Sequence, residues 1–227
     1  NDTATTEIYT LSLHDALPIW SEWGETMQQF QPELVLRIGS FDEASVNLQQ
    51  VVREAYYDTP LAAFGMPEAS FTMYPAETTG SQRVVEVKLT YPEDVALLRE
   101  KQQVLQERAD SMKAMLTGTT KEAAARTAFA MVRENAVYGV NQDNTAYGAL
   151  VEGAANSEGF ALAFQLLCDM AQVECTVVEG TRGGEPYMWN EVNFGSERYA
   201  VDTTTVDGFG MTDEQLSAWG YVPQAAA

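Results

Sequence analysis

SEGFALAFQLLCDMAQVECTVVEGTRGGEPYMWNEVNFGSERYAVDTT, residues 157–204, is the stretch on which the fold turns. Its first third is a helix pattern: Phe160, Phe164, Leu167, Cys168 and Ala171 recur at helical spacing and form one apolar stripe. The remainder changes period. CTVVEGT (175–181), PYMWNEVNF (186–194) and RYAVDTT (198–204) read as strands, with Gly183–Gly184 and Gly195–Ser196 at the turns between them. Short turns between successive strands predict an antiparallel sheet over 174–181, 186–194 and 198–204, packed on the helix that starts near Ser157.

Working outward, TAYGALVEG (145–153) predicts a short turn of helix. Before it, Thr119-x-x-Glu122 has the form of a capping box for a helix to about Val137, with Phe129, Val132 and Ala136 on one face. Pro92, Glu93 and Asp94 open a longer helix to about Leu116, ended by Gly118. Its buried side is expected at Val95, Leu98, Leu105, Met112 and Met115. Further upstream, 42–56 places Val46, Val51 and Ala55 near helical spacing. Residues 69–75 and 83–92 read as two strands joined by a hairpin loop, AETTGSQ, with Val85, Val87 and Leu89 on one side. A last short helix over 212–219 begins at Thr212, with Asp213 and Glu214 in its first turn.

Residues 1–19, NDTATTEIYTLSLHDALPI, read differently. They match the in-frame translation of a flow-cell adapter used in short-read DNA sequencing, from Asn1 to Ile19. On that reading the segment is an artefact with no part in the fold, and the protein is a metagenomic fragment read from Trp20. His14, the chain's one histidine, lies inside it. The native part therefore has no imidazole.

The chain carries a net charge of −20. Without Asp2, Glu7 and Asp15 of the adapter segment, the 33 acidic residues fall to 30 against 13 basic ones, a net −17. Such an acidic chain repels nucleic acid and anionic membrane surfaces. No run approaches the roughly 18 apolar residues of a membrane span. Cys168 and Cys175 lack metal-ligand spacing, and no metal or other cofactor is expected. Their separation permits a disulfide from a helix end to a strand start; the alternative is a pair of buried thiols.

The order helix, strand, strand, strand, with its motifs, resembles the transglutaminase-like superfamily, which shares the papain-like plan. Members carry a segment like AYGxLxxGxxxCxGYAxAF; this chain has AYGALVEGAANSEGFALAF at 146–164. GIxCxxVxG compares with QVECTVVEG (172–180), HAWNxV with YMWNEV (187–192), and WYxVDxT with RYAVDTT (198–204). The tail DEQLSAWGY and the upstream VVREAYYDTP resemble bacterial secreted members. The resemblance implies an α+β fold: a papain-like core with a helix on an antiparallel sheet, over residues 119–227. An N-terminal helix/hairpin/helix extension would occupy 20–118. It also implies an extracellular or cell-surface location.

In that family a cysteine, a histidine and an aspartate form an acyl-transfer triad. By position the three places fall on Ser157, Tyr187 and Asp202. Serine needs a base in contact to take its proton during attack. A phenol, with an unperturbed pKa of about 10, is nearly always protonated at pH 7. The resemblance therefore implies a transglutaminase-like domain without catalysis, kept for binding or scaffolding. Its partner would be a peptide, a protein or a cell-wall fragment. Two enzymatic readings stand beside it. One is an acyltransferase or hydrolase using Ser157 with Tyr187 as base, for which the local cations are Arg182 and Arg198 against Glu158, Glu179, Glu185 and Glu191. The other is a hydrolase pairing Glu158 with Glu185 or Asp202. Trp189 and Asn190 match the family motif and, with Glu158, are the candidate binding residues. Trp189 is expected either to wall a groove or to fill the core.

Overall fold

The computed structural model describes residues 22–38, 47–75, 83–116, 120–195 and 197–224. Two compact units are present among the described residues: one from 22–59 with 66–92, the other from 60–65 with 93–224. The adapter-like segment 1–19, Val46, the hairpin loop 76–82, Gly118 and Thr119 lie outside the described residues.

In the first unit a helix, α1, runs through 22–28. Strand β1 (Glu33–Ile38), helix α2 (Leu48–Tyr57) and strands β2 (Glu68–Pro75) and β3 (Arg83–Thr90) follow. The strands form an antiparallel sheet in the order β1-β3-β2. The alternation expected in β3 is realised: Val85, Val87 and Leu89 are buried, as is Leu36 of β1. On α2 the buried valine is Val52; Val51 is half-buried. Asn47 caps α2, its side chain accepting from Gln50 N, so the helix starts later than the expected 42.

The second unit opens with α3 (Val95–Leu116) and α4 (Lys121–Asn135). Asp94 caps α3 by accepting from Ala96 N at 2.8 Å, which moves the start inward from Pro92. Leu98, Leu105, Ala109, Met112 and Leu116 are buried on α3, whereas Met115 is 59% exposed. The stripe turns past Met115 because 3.6 residues per turn bring Leu116, not Met115, beneath Met112. The cap of α4 is Thr120, whose side chain accepts from Ala123 N. The helix ends at Asn135, before the expected Val137.

Strands β4 (Val137–Tyr138) and β5 (Ala154–Ala155) pair in parallel. Between them the short turn is a π-helical one, η1 (Gly148–Glu152). Helix α5 (Ser157–Met170) follows, capped by Asn156, which accepts from Gly159 N. Then come β6 (Glu174–Arg182), β7 (Glu185–Asn193), β8 (Arg198–Val201), β9 (Phe209–Met211), α6 (Asp213–Ala218) and β10 (Tyr221–Pro223). The five strands form one antiparallel sheet in the order β10-β6-β7-β8-β9. Thr212 and Gln215 close a capping box on α6. The mixed α+β architecture matches the expectation, with a wider sheet than the three strands read from the sequence.

Helix α5 is the centre of this unit. Every residue from Gly159 to Cys168 is buried, so the apolar face is not a stripe but the whole circumference. The sheet strands β6 and β7 cover one side, and α3 and α4 cover the other. Full burial of a Phe or Leu side chain stabilises by about 1.5–3 kcal/mol. Phe160, Leu162, Phe164 and Leu167 together make this helix the anchor of the fold. Ala171 falls beyond it and is half-exposed. Gly159 is required for close approach: a Cβ there would sit 2.7 Å from Thr145 O and 2.8 Å from the Ala155 side chain. That contact fixes where the helix begins, and hence where Ser157 lies. Cys168 and Cys175 are both free and buried, the reading without a disulfide. Burial pushes the Cys175 thiol well above its usual range.

Candidate functional site

Ser157 is the first residue of α5 and is 9% exposed. Its Oγ accepts a hydrogen bond from the backbone N–H of Met188 at 3.3 Å. Met188 follows Tyr187 on β7, so the first residue of α5 lies against the backbone of the sheet's middle strand. No side chain among the described residues shares a hydrogen bond with Ser157 Oγ.

Asp202 is 1% exposed. The sequence places it in the strand 198–204, but β8 stops at Val201. The reason is local: Asp202 Oδ1 accepts from Thr204 N at 2.8 Å, a side-chain turn that competes with the ladder. Its backbone N–H donates to Gly208 O at 2.7 Å, closing a tight loop.

The other carboxylate oxygen gathers three donors. Tyr187 Oη donates to Asp202 Oδ2 at 3.1 Å, and Tyr221 Oη at 2.5 Å. Arg182 Nη1 donates to it at 3.3 Å and to Tyr187 Oη at the same distance. Tyr187 Oη also lies 2.5 Å from Thr204 Oγ1. The guanidinium stands over both rings, 5.3 Å from the Tyr187 centroid and 4.9 Å from that of Tyr221. The two tyrosine rings meet edge to face at 6.0 Å. Tyr138, on β4, tilts against Tyr187 at 6.2 Å.

Arg182 and Tyr221 are the members of this cluster that a reading of single motifs does not bring together. They come together because β10 pairs with β6, setting Tyr221 opposite Arg182. Gly180 makes that pairing possible: a Cβ there would lie 2.2 Å from Val222 O and 2.7 Å from the Trp189 ring. Arg198, the second cation near the motifs, pairs with Glu191 at 3.1 Å instead.

The electrostatics follow from the burial. Loss of water raises the Tyr187 phenol far above its ordinary pKa, and the adjacent Asp202 charge raises it further. Hydrogen bonds from Thr204 and Arg182 oppose this only partly. Tyr221 is raised for the same two leading reasons, burial and Asp202. Neither phenol gives up its proton near neutral pH.

The remaining candidates sit in supporting places. Trp189 is 2% exposed, packed edge to face on Tyr221 at 5.3 Å. It fills the core with Tyr187, Ala200, Met211 and Tyr221 and does not wall an open groove. Asn190 is fully buried; its Nδ2 donates to Ala161 O at 3.1 Å and Thr176 O at 3.4 Å, tying α5 to β6 and β7. Glu158 is half-buried, and its Oε2 accepts from Asn144 Nδ2 at 3.1 Å. Glu185 is exposed at the start of β7. Among the described residues, no group of three or more His, Cys, Asp or Glu side chains could hold a metal ion.

Residues 108–203 match the family model described as Transglutaminase-like superfamily. Among solved structures, the chain is similar to a crystal structure of a TGase, with 10% identity over 87% of this chain and 61% of that one, at a TM-score of 0.42. It is also similar to a proposed cysteine protease from Cytophaga hutchinsonii, with 11% identity over 85% of this chain and 68% of that one, at a TM-score of 0.40. The chain thus spans 61% of the length of the first of these. No curated protein sequence matches it.

The raised phenols give a direct test. A group whose pKa is raised in the folded state keeps its proton longer there than in the unfolded chain. Its stabilising contribution is complete below the unfolded value of about 10 and is lost as pH climbs above it. Ultraviolet titration of the folded protein should show Tyr187 and Tyr221 unionised at pH 11. Tyr91, pushed up to about 12 by burial, should behave alike. Tyr187→Phe and Tyr221→Phe should remove no phenolate signal below that pH. Loss of signal near pH 10 would contradict the burial of the pair.

Proposed function

We propose that the transglutaminase-like domain performs no acyl transfer and serves as a binding or scaffolding module. The observation that carries this reading is the state of Ser157 Oγ. Its one hydrogen-bond partner among the described residues is the amide N–H of Met188, which donates to it and cannot take its proton. Attack by serine requires a base in contact with that hydroxyl. Tyr187, at the family's histidine place, has its phenol committed to Asp202 and Thr204. Its raised pKa removes it further from base chemistry at neutral pH. Asp202, which would orient an imidazole, instead accepts from Tyr187, Tyr221 and Arg182. The arrangement favours a buried structural network in the place of a triad.

The partner class on this reading is a peptide, a protein or a cell-wall fragment, and the location is extracellular or at the cell surface. Both rest on the family resemblance. The reading is tested with activity-based reagents. Fluorophosphonates should leave Ser157 unlabelled at pH 7–9, and no thioester or peptide amide should be turned over. Thiol alkylation of the folded protein should reach Cys168 and Cys175 only as fast as unfolding exposes them. Stoichiometric labelling that Ser157→Ala abolishes would overturn the reading in favour of a serine enzyme.

A further inference from the structure

A cleft of about 390 Å³ opens beside the Asp202 network, lined by Arg182, Thr205, Val206, Asp207 and Trp219. Each part is held by backbone structure. Arg182 ends β6, and Trp219 lies two residues before its partner strand β10. Gly183 N donates to Gly220 O at 2.9 Å, pinning the turn that presents the indole. Residues 205–207 belong to the loop closed by Asp202 N to Gly208 O, with Thr205 N donating to Asp202 O at 3.3 Å.

The cleft has three chemical features. Trp219 is 40% exposed, whereas Trp23 and Trp189 are buried. Arg182 uses only Nη1 in hydrogen bonds to the described residues, which leaves the donors on Nε and Nη2 uncommitted. Thr205 Oγ1 is buried without a hydrogen-bond partner. The charges also decide something. The Arg182 cation is already paired with Asp202, and Asp207 adds a second carboxylate to the lining. An anion would meet two acids for one base, and a cation would meet Arg182.

We propose that this cleft binds an uncharged, hydroxyl-rich sugar ring of a glycan. The parallel donors on Nε and Nη2 match two adjacent hydroxyl oxygens, and Asp207 accepts from a third hydroxyl. The electron-rich face of the indole takes the polarised C–H face of the ring. A cleft of this volume holds one or two sugar rings, in the size range of ordinary ligand sites. The proposal goes beyond the non-catalytic reading and is independent of whether Ser157 reacts, since sugar binding at this cleft requires no nucleophile.

The full chain is titrated with three neutral trisaccharides, N,N′,N″-triacetylchitotriose, cellotriose and maltotriose, by tryptophan fluorescence and saturation-transfer NMR. At least one should bind saturably, and Trp219→Ala should weaken it tenfold or more. Asp207→Asn should weaken it severalfold, with both variants keeping the wild-type melting temperature. Glutarate should not bind. Failure of all three sugars to bind, or binding unchanged by Trp219→Ala, would overturn the proposal. So would saturable glutarate binding that tightens in Asp207→Asn, which would mark the cleft as an anion site.

Discussion

Asp202→Ala should lower the unfolding free energy by about 2–4 kcal/mol. Removing one member of a buried, hydrogen-bonded ion pair ordinarily costs about 3–5 kcal/mol, because the partner stays behind uncompensated. Here the Arg182 side chain is 33% exposed, so water recovers part of that cost. The phenols of Tyr187 and Tyr221 each lose an acceptor, as does Thr204 N. For a chain of this size the drop corresponds to roughly 5–15 °C in melting temperature. Asp202→Asn keeps one acceptor oxygen but turns the other into a donor NH2. It loses the charge and either the Thr204 N bond or the phenol bonds, and should cost less than Asp202→Ala. Tyr221→Phe removes one charge-assisted hydrogen bond and should cost about 1.5–3 kcal/mol. Urea unfolding of the four proteins gives the ranking. Asp202→Ala within 1 kcal/mol of wild type would mean that the carboxylate contributes little to the fold. Its burial would then be better explained by retained chemistry.

That network also marks where the sequence is legible and where it is not. The helix 157–170 and strands β6 and β7 follow from a change of period, and the period is a direct imprint of which face meets the core. Ser157, Tyr187 and Asp202 stand out because each belongs to a short motif that resembles the family's. Arg182 and Tyr221 could not be joined in that way. Their contact depends on β10 folding back onto β6, a pairing between distant segments that no local pattern encodes. The signal present was Gly220 before Tyr221: its φ of 77° makes the turn that begins β10. Strand β1 was legible in principle from the alternation of ELVLRI (33–38), but one short strand competes poorly with its polar surroundings. The two-residue strands β4 and β5 are below the length at which any period can be read. The misplaced edges have a common cause as well. Asp94, Thr120 and Asn47 each cap a helix through one side-chain oxygen. Neighbouring residues of the same kind, Glu93 and Thr119, make the exact position ambiguous in sequence.

Ser157→Cys combined with Tyr187→His should place a reactive thiol at the first residue of α5. The introduced sulfur would stand at the first residue of α5, where unpaired N–H groups and the helix dipole favour a thiolate. The Met188 N–H that now donates to Ser157 Oγ would donate to that thiolate. The introduced imidazole would stand beside Asp202, which favours its protonated form, and next to Arg182, which opposes it. Two cations around one carboxylate are a poorer arrangement than one, and Tyr221 Oη already holds the acceptor oxygen at 2.5 Å. Tyr221→Phe added to the double variant should therefore strengthen the effect by freeing that oxygen. In iodoacetamide alkylation at pH 7, the double variant should react at least tenfold faster than Cys168 and Cys175 in the wild type. Its rate should stay flat to below pH 7, the sign of a thiolate–imidazolium pair. Ser157→Cys alone should show a rate that climbs with pH, because the helix terminus acts without a partner cation. Equal pH profiles for the single and double variants would mean that the imidazole does not reach the sulfur. In that case residue 187 has moved with the tyrosine network and no longer faces the helix start. A variant that folds, keeps its profile flat and still turns over no amide would show that a thiolate–imidazolium pair at the start of α5 is not sufficient for amide turnover.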